Sequence, residues 1–209
     1  MIGDLYAASL AGALVELEHV DGSVRPLEPD RWRRPIDGDE TMLARCTGPT
    51  LDIGSGPGRL TVALARRGVP VLGIDVTPRA VRLTRRSGGP ALCRDVFGRV
   101  PGRGRWATAL LADGNIGIGG DPAALLRRVR ELVRPGGEAV VEVEPPGTPS
   151  RVDRVRLRGL RGAGRAGEAG EWFGWARVSA ADITRVARGC GFPVTDRWQE
   201  AGRWFAALR

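Results

Sequence analysis

The stretch Leu51-Asp52-Ile53-Gly54-Ser55-Gly56-Pro57-Gly58 constrains this chain more than any other. An apolar strand end runs into three alternating glycines, and an amphipathic segment with Leu60, Ala63 and Leu64 on one side follows. A glycine-rich turn between a strand and a helix lets a ligand approach the backbone where a side chain would collide. The pattern then repeats. Val69 to Ile74 reads as a second strand closing on Asp75. Pro78 opens a helix at its first turn, where a missing N–H costs nothing, and Ser87-Gly88-Gly89-Pro90 stops it. Ala91 to Arg94 is a short third strand before Asp95, and Trp106 to Leu111 a fourth before Asp113-Gly114-Asn115. Asp121-Pro122 starts a helix as N-cap and first-turn proline, with Leu125, Leu126, Val129, Leu132 and Val133 at helical spacing. Arg134-Pro135-Gly136-Gly137 turns into a fifth strand, Glu138 to Glu144. Strands alternating with helices predict an α/β, doubly wound, mostly parallel sheet.

The ends read differently. Ala13 to Leu27 alternates around Asp21-Gly22, a hairpin signal. Arg151 to Leu160 and Glu171 to Val178 read as two short strands, a small inserted β-hairpin cap, flanking a Gly/Arg-rich run from Arg161 to Gly167 expected to be a mobile loop. Ser179 is expected to cap a last helix, with Asp182 three residues on and Gly189-Cys190-Gly191 at its end. Val194 to Trp198 and Arg203 to Leu208 read as closing strands. A chain of 209 residues suits one domain. Its expected parts are an N-terminal lid and hairpin (1–46), a ligand-binding core (50–145), the inserted cap (146–178) and a C-terminal helix and hairpin (179–209).

Composition excludes several classes of function. No apolar run is long enough to span a bilayer, and Met1-Ile2-Gly3-Asp4-Leu5-Tyr6 carries an acid and no positive n-region. A cytoplasmic protein without membrane contact is expected. Cys46, Cys93 and Cys190 are scattered, and His19, the only histidine, has no ligand partner nearby, so no metal site or disulfide framework is expected. The formal charge of +8 invites a nucleic-acid partner. However, every basic residue is arginine, and Asn115, Gln199 and Tyr6 are the only residues of their types. That bias is what GC-rich codons produce, so many arginines stand where other chains carry lysine on solvated faces.

The glycine turn carries the most chemistry. A nicotinamide-dinucleotide fingerprint reads G-x-G-x-x-G and places a pyrophosphate at the helix N-terminus. Here the third glycine comes one residue early, and Asp52 sits two residues before the first. An acid there repels a pyrophosphate and suits a ligand bearing ammonium and sulfonium charges. The segment resembles the D/E-x-G-x-G-x-G motif of class I, Rossmann-like S-adenosylmethionine (SAM)-dependent methyltransferases, and the match is complete. Leu132-Val133-Arg134-Pro135-Gly136-Gly137 likewise resembles that family's L-x-P-G-G turn before strand five. The resemblance implies SAM as cofactor, S-adenosylhomocysteine as product, and an antiparallel C-terminal hairpin completing a seven-stranded sheet. It implies cofactor contacts from Asp52, Gly54, Ser55, Gly56 and Gly58 in the turn. Asp75 would hold the ribose and Val76 pack beside the adenine. Asp95 and Val96 would read the adenine edge, and Asp113 and Gly114 would meet the methionine end.

The acceptor side is open. Methyl transfer from a sulfonium is an in-line displacement that proximity and orientation can drive without a base. Glu144, at the carboxyl end of the fifth strand, is a candidate to orient or deprotonate the acceptor, with a salt bridge as the alternative. His19 shares a hairpin face with Val15 and Leu17 and is either a packed residue or a base. Tyr6 and Arg31-Trp32-Arg33-Arg34 precede the glycine motif, where relatives place a segment closing over the cofactor. Trp172, Phe173 and Trp175 can line an apolar or planar pocket or anchor the inserted hairpin. Asp113-Gly114-Asn115-Ile116 lacks the N/D-P-P-Y/F tetrad of nucleic-acid amino-methyltransferases, and no cysteine follows a proline as cytosine-C5 enzymes require. A small-molecule acceptor methylated on O or N is therefore expected. The rivals are an RNA or protein methyltransferase using the arginine surface, a SAM-binding protein that transfers nothing, and a nicotinamide-dependent dehydrogenase.

Overall fold

The computed structural model describes residues 3–161 and 165–209. In chain order its elements are α1 (Gly3–Ser9), β1 (Val15–His19), β2 (Val24–Pro26), a 3-10 turn (Pro29–Trp32), α2 (Asp39–Leu43), β3 (Thr50–Ile53), α3 (Arg59–Arg66), β4 (Val71–Asp75), α4 (Pro78–Arg86) and β5 (Ala91–Cys93). Then follow β6 (Trp106–Leu111), a second 3-10 turn (Asn115–Gly120), α5 (Pro122–Leu132), β7 (Val133–Val143), β8 (Arg151–Arg161), β9 (Arg165–Ala169), β10 (Phe173–Arg177), α6 (Ile183–Arg188), β11 (Val194–Glu200) and β12 (Arg203–Leu208).

The larger sheet has seven strands in the order β11-β12-β7-β6-β3-β4-β5. β3, β4, β5, β6 and β7 run parallel, and β12 is antiparallel to both β7 and β11. This is the expected α/β sheet with its antiparallel C-terminal hairpin. Side chains alternate across it. Leu51, Ile53, Ala109, Leu111, Ala139 and Val141 pack toward α5 and α6, which supply Leu125, Leu126, Val129, Ile183 and Ala187. Leu110, Val140 and Phe205 pack toward α2 and α3, onto Met42, Leu43, Leu60 and Leu64. Because both faces are covered, the central strands carry little polar side chain. The strand order reverses between β3 and β6, and a crevice opens beyond the carboxyl ends of the strands at such a switch point.

Some local expectations are corrected. The Arg134-Pro135-Gly136-Gly137 turn lies within β7, where pairing with β6 jumps from Trp106–Val133 to Thr108–Glu138 and Gly136 takes a φ of +71°. The last helix begins at Ile183, and the Ser179 hydroxyl accepts from the Ala181 N–H just before it. The Asp182 carboxylate, however, accepts from the Ser150 hydroxyl and from Arg185, and the Ser179 N–H donates to Ser150, so the expected capping box does not form.

The larger correction concerns the cap. The N-terminal hairpin and the inserted strands form one antiparallel sheet of five strands, in the order β10-β8-β1-β2 with β9 also on β8. Left apart, β1 and β8 would each expose a row of unpaired backbone groups. Paired from Val15–Gly159 to His19–Val155, they bury Val15, Leu17, Val155 and Leu157 on one face. Of the run from Arg161 to Gly167 expected to be a mobile loop, Arg161 ends β8 and residues 165–167 belong to β9, which pairs with β8; residues 162–164 lie outside the described residues. Gly117 is where this sheet touches the core, since a β-carbon there would lie 2.2 Å from the Ala176 carbonyl oxygen. Among the described residues, no helix is long and apolar enough to cross a membrane.

Candidate active site

A cavity of about 420 Å³ lies beyond the ends of β3, β4 and β6, and both sheets wall it. Polar contacts hold its glycine loop. Asp75, closing β4, accepts from the Gly56 N–H at 3.0 Å and the Thr77 N–H at 2.7 Å. The Asn115 side-chain amide donates to the carbonyls of Ile53 (2.9 Å) and Gly54 (3.0 Å), and the Thr84 hydroxyl donates to that of Gly56 at 3.0 Å. Gly54 takes a φ of +69°, and a β-carbon on it would meet the Asn115 amide nitrogen at 2.8 Å. The loop therefore presents bare backbone because its sequence permits nothing else.

Asp52 lies beneath this loop and accepts from the Thr61 hydroxyl at 2.6 Å. Burial pushes its carboxyl up to about 6, against the pull of Thr61 and Arg59. Burial also raises Asp75 and Asp113 above the ordinary carboxylate range. Each of these acids lines the cavity, so a cation bound there would favour their ionised forms. The Ser55 hydroxyl, also on the cavity wall, is buried without a hydrogen-bond partner among the described residues.

A buried ionic network backs the Asp113 side. Arg59 lies 2.8 Å from Asp39 and 3.0 Å from Asp113. Arg203 of β12 contacts Asp39 at 2.8 Å and Glu142 of β7 at 2.8 Å, its Nε donating to the other Glu142 oxygen at 3.0 Å. The Asp113 N–H donates to Glu142 at 2.7 Å. Asp113 needs that bond, since its φ of +53° is left-handed for a residue with a β-carbon. Burial pulls the Arg203 guanidinium toward neutrality, but Glu142 and Asp39 outweigh it and leave the charge more firmly held than usual.

The opposite half of the cavity is apolar. Leu17, Val155 and Leu157, with Phe173 and Trp175 beside them on the same face of the second sheet, line it together with Leu27 and Trp32. Tyr6 of α1 meets Trp32 edge-on at 5.7 Å, and Phe173 meets Trp175 edge-on at 6.4 Å. The Tyr6 hydroxyl stands over the loop, 3.1 Å from where a β-carbon of Gly56 would be. Burial pushes its phenol well above its ordinary value, and Asp75 and Asp113 push the same way, so it stays protonated. Val76, on the wall, and Phe97 nearby are apolar yet 57 % and 44 % exposed.

The structure gathers most residues expected from the sequence. Asp52, Gly54, Ser55, Gly56, Asp75, Val76, Asp95, Val96, Asp113, Tyr6, Phe173 and Trp175 all line the cavity. Gly58, Gly114, Trp172, Glu144 and His19 do not. Gly58 packs on α4, where its β-carbon would fall 2.5 Å from Thr84 Cγ2. Gly114 precedes the second 3-10 turn at a φ of +78°. Trp172 lies under the Arg156 guanidinium at 4.5 Å, and Arg156 pairs with Glu18 on the outward face of the sheet. Glu144 is held past the end of β7 by Val178 and Ala180, and its charge faces Arg25. His19 ends β1, its N–H donating to the Ser23 carbonyl in the hairpin turn. Arg25, Leu17, Leu27, Val155 and Leu157 were not anticipated. Their alternation was visible, but only the pairing of β1 with β8 shows that it faces a ligand cavity.

A family model described as a methyltransferase domain matches residues 50–137. The solved SAM-dependent methyltransferase from Bacteroides fragilis, in complex with S-adenosyl-L-homocysteine, aligns over 99% of this chain and 94% of its own, with a TM-score of 0.78 and 21% identity. The sugar N-methyltransferase KedS8 from Streptoalloteichus aligns over 82% of this chain and 83% of its own, with a TM-score of 0.58 and 17% identity. A curated relative, an ATP synthase lysine N-methyltransferase of Rattus norvegicus, is 38% identical over 52 residues, 25% of this chain. The chain spans only 24% of that relative's length. Residues 50–137 match a methyltransferase-domain model, and the fold built around them is that of the class I, Rossmann-like SAM-dependent methyltransferases.

Proposed function

We propose that the cavity binds SAM along the glycine loop, and that the chain transfers the methyl group to a nitrogen or oxygen of a small-molecule acceptor beneath the second sheet. The observation carrying this reading is the junction of two unlike halves in one cavity. One is glycine-lined and acidic; the other is apolar and aromatic. The residues fit the cofactor. Three carboxyls disfavoured by burial are offset by a cationic ligand, the Ser55 hydroxyl has hydrogen-bonding capacity to spare, and exposed Val76 suits a planar base. When bound, SAM supplies a methyl group on a positively charged sulfur.

The chain's own residues then do the positioning. Asp75 has lone pairs beyond those taken by Gly56 and Thr77, and these accept from the ribose hydroxyls. Asp95 and Val96 read the adenine edge. Asp52, Asp113 and the loop amides surround the methionine end. Tyr6, Trp32, Phe173 and Trp175 exclude water and hold the acceptor for in-line displacement. Glu144 and His19 lie off the cavity, so no general base is assigned. The whole chain acts as one unit in the cytoplasm, residues 1–46 and 146–178 forming the acceptor wall. The sugar N-methyltransferase among the structural neighbours supports a small acceptor.

Calorimetric titration with SAM, S-adenosylhomocysteine and NAD tests the cofactor. Binding of the first two and not the third is expected; binding of neither adenosyl ligand to folded protein overturns the reading. Assays for S-adenosylhomocysteine release with a panel of small amines and alcohols test transfer, and release with none of them argues for a binding protein.

A further inference from the structure

Arginines at three positions line the cavity, and they are not equivalent. Arg59 is locked between Asp39 and Asp113, and Arg94 donates to the Cys93 carbonyl. Arg25 has no ion pair or side-chain hydrogen bond among the described residues. Strand register fixes where it points. Arg25 lies opposite Leu17 on β1, and Leu17 opposite Leu157 on β8, so the three side chains form a row on the face that roofs the acceptor half. Although the side chain is exposed, partial desolvation by the cavity wall and the nearby Arg177 disfavour its charge, while Glu144 and Asp153 offset them in part. Asp153 is already shared by Arg151 at 2.7 Å and Arg177 at 3.0 Å. Arg25 is solvent-exposed at the rim of the cavity, and a guanidinium there, without an ion pair or side-chain hydrogen bond among the described residues and beside an apolar wall, is suited to a planar oxyanion.

We propose that Arg25 is a specificity residue that receives an anionic oxygen group of the acceptor, whose apolar body lies along Leu17, Leu157 and Trp175. This rests on the methyltransferase reading and narrows it: the substrates are apolar or aromatic acids rather than neutral molecules. The reacting nitrogen or oxygen lies at the other end of the acceptor, toward Asp113 and the glycine loop.

The test uses two matched pairs of probes, phenylacetate with phenylacetamide and indole-3-acetate with indole-3-acetamide. They are titrated calorimetrically into protein saturated with S-adenosylhomocysteine. In the parent, each acid is expected to bind about tenfold more tightly than its amide, the scale of a hydrogen bond to a charged group. In Arg25→Gln the preference disappears while affinity for S-adenosylhomocysteine stays the same. Equal binding of acid and amide, binding of no probe, or a preference that survives Arg25→Gln overturns the proposal. So does loss of S-adenosylhomocysteine binding in the variant, which would assign Arg25 to the cofactor's own carboxylate. If the parent does not bind S-adenosylhomocysteine, the underlying reading fails first, before any probe is added.

Discussion

The backbone N–H of Asp113 donates to the side chain of Glu142 at 2.7 Å, tying a left-handed residue on the cavity wall to the middle of the sheet. Glu142 also holds both faces of the Arg203 guanidinium fork. Glu142→Ala removes both contacts and leaves a buried arginine short of a partner. The expected loss of folding stability is about 3–5 kcal/mol, measured by denaturant unfolding, with weaker S-adenosylhomocysteine binding. Glu142→Gln keeps an acceptor for the Asp113 N–H and should lose less of both. Unchanged stability in Glu142→Ala would show that the network is not held together through this carboxylate.

Asp75→Ala should weaken SAM binding by about 1–3 kcal/mol in a calorimetric titration, as buried carboxylate hydrogen bonds are lost. Because Asp75 also accepts from Gly56 and Thr77, part of the loss reports a loosened glycine loop. Parent-like affinity would place the ribose elsewhere.

The buried Asp52 sets a pH dependence of defined sign. Its carboxyl is raised to about 6 from an ordinary 3.8, so the folded protein binds the proton more tightly than the unfolded chain. Its stabilising contribution is complete below about 4 and is lost as pH rises through about 6. A cationic cofactor favours the ionised form, so its affinity should climb over the same interval. In Asp52→Asn both slopes should flatten; urea midpoints and SAM titrations between pH 4 and 7 read them, and slopes identical to the parent's refute the assignment.

Two glycines in one loop should fail differently. Gly58→Ala forces a methyl group to within 2.5 Å of Thr84 at a φ of +96°, so it should cost stability, by about 1–3 kcal/mol, and cofactor affinity only secondarily. Gly56→Val reaches toward Tyr6 and the cavity and should abolish SAM binding in protein that still folds. Thermal melts and titrations of both variants separate the effects; Gly56→Val protein that binds SAM normally would move the cofactor off the loop.

Local periodicity made the strands and helices of the parallel sheet legible, while its completion to seven strands by an antiparallel hairpin came from the family resemblance; the glycine loop with its flanking acids stood in neighbouring residues. The aromatic segment divided according to strand alternation: Phe173 and Trp175 share the inner face, while Trp172, just before the strand, turns to Arg156. What stayed hidden was set by distant pairing. Arg25 gains its position only because β1 meets β8, and Asp39, Arg59, Glu142 and Arg203 come from four separate elements. Gly58 shows the reverse limit, a motif position whose tight fit is explained by helix packing.

The pairing of β1 with β8 also orders the assembly of the molecule in time. Glu18 meets Arg156 across 138 residues of chain, so the first hairpin to leave a ribosome has no β8 partner until the segment between them has been synthesised. Closing so long a loop is slow, and it is easier once the intervening segment has collapsed. The glycine loop and its acids, between the two strands in sequence, are therefore made before β8 can roof them. During synthesis, Val15 and Leu17 remain exposed and in need of protection from other nascent chains until their neighbours arrive.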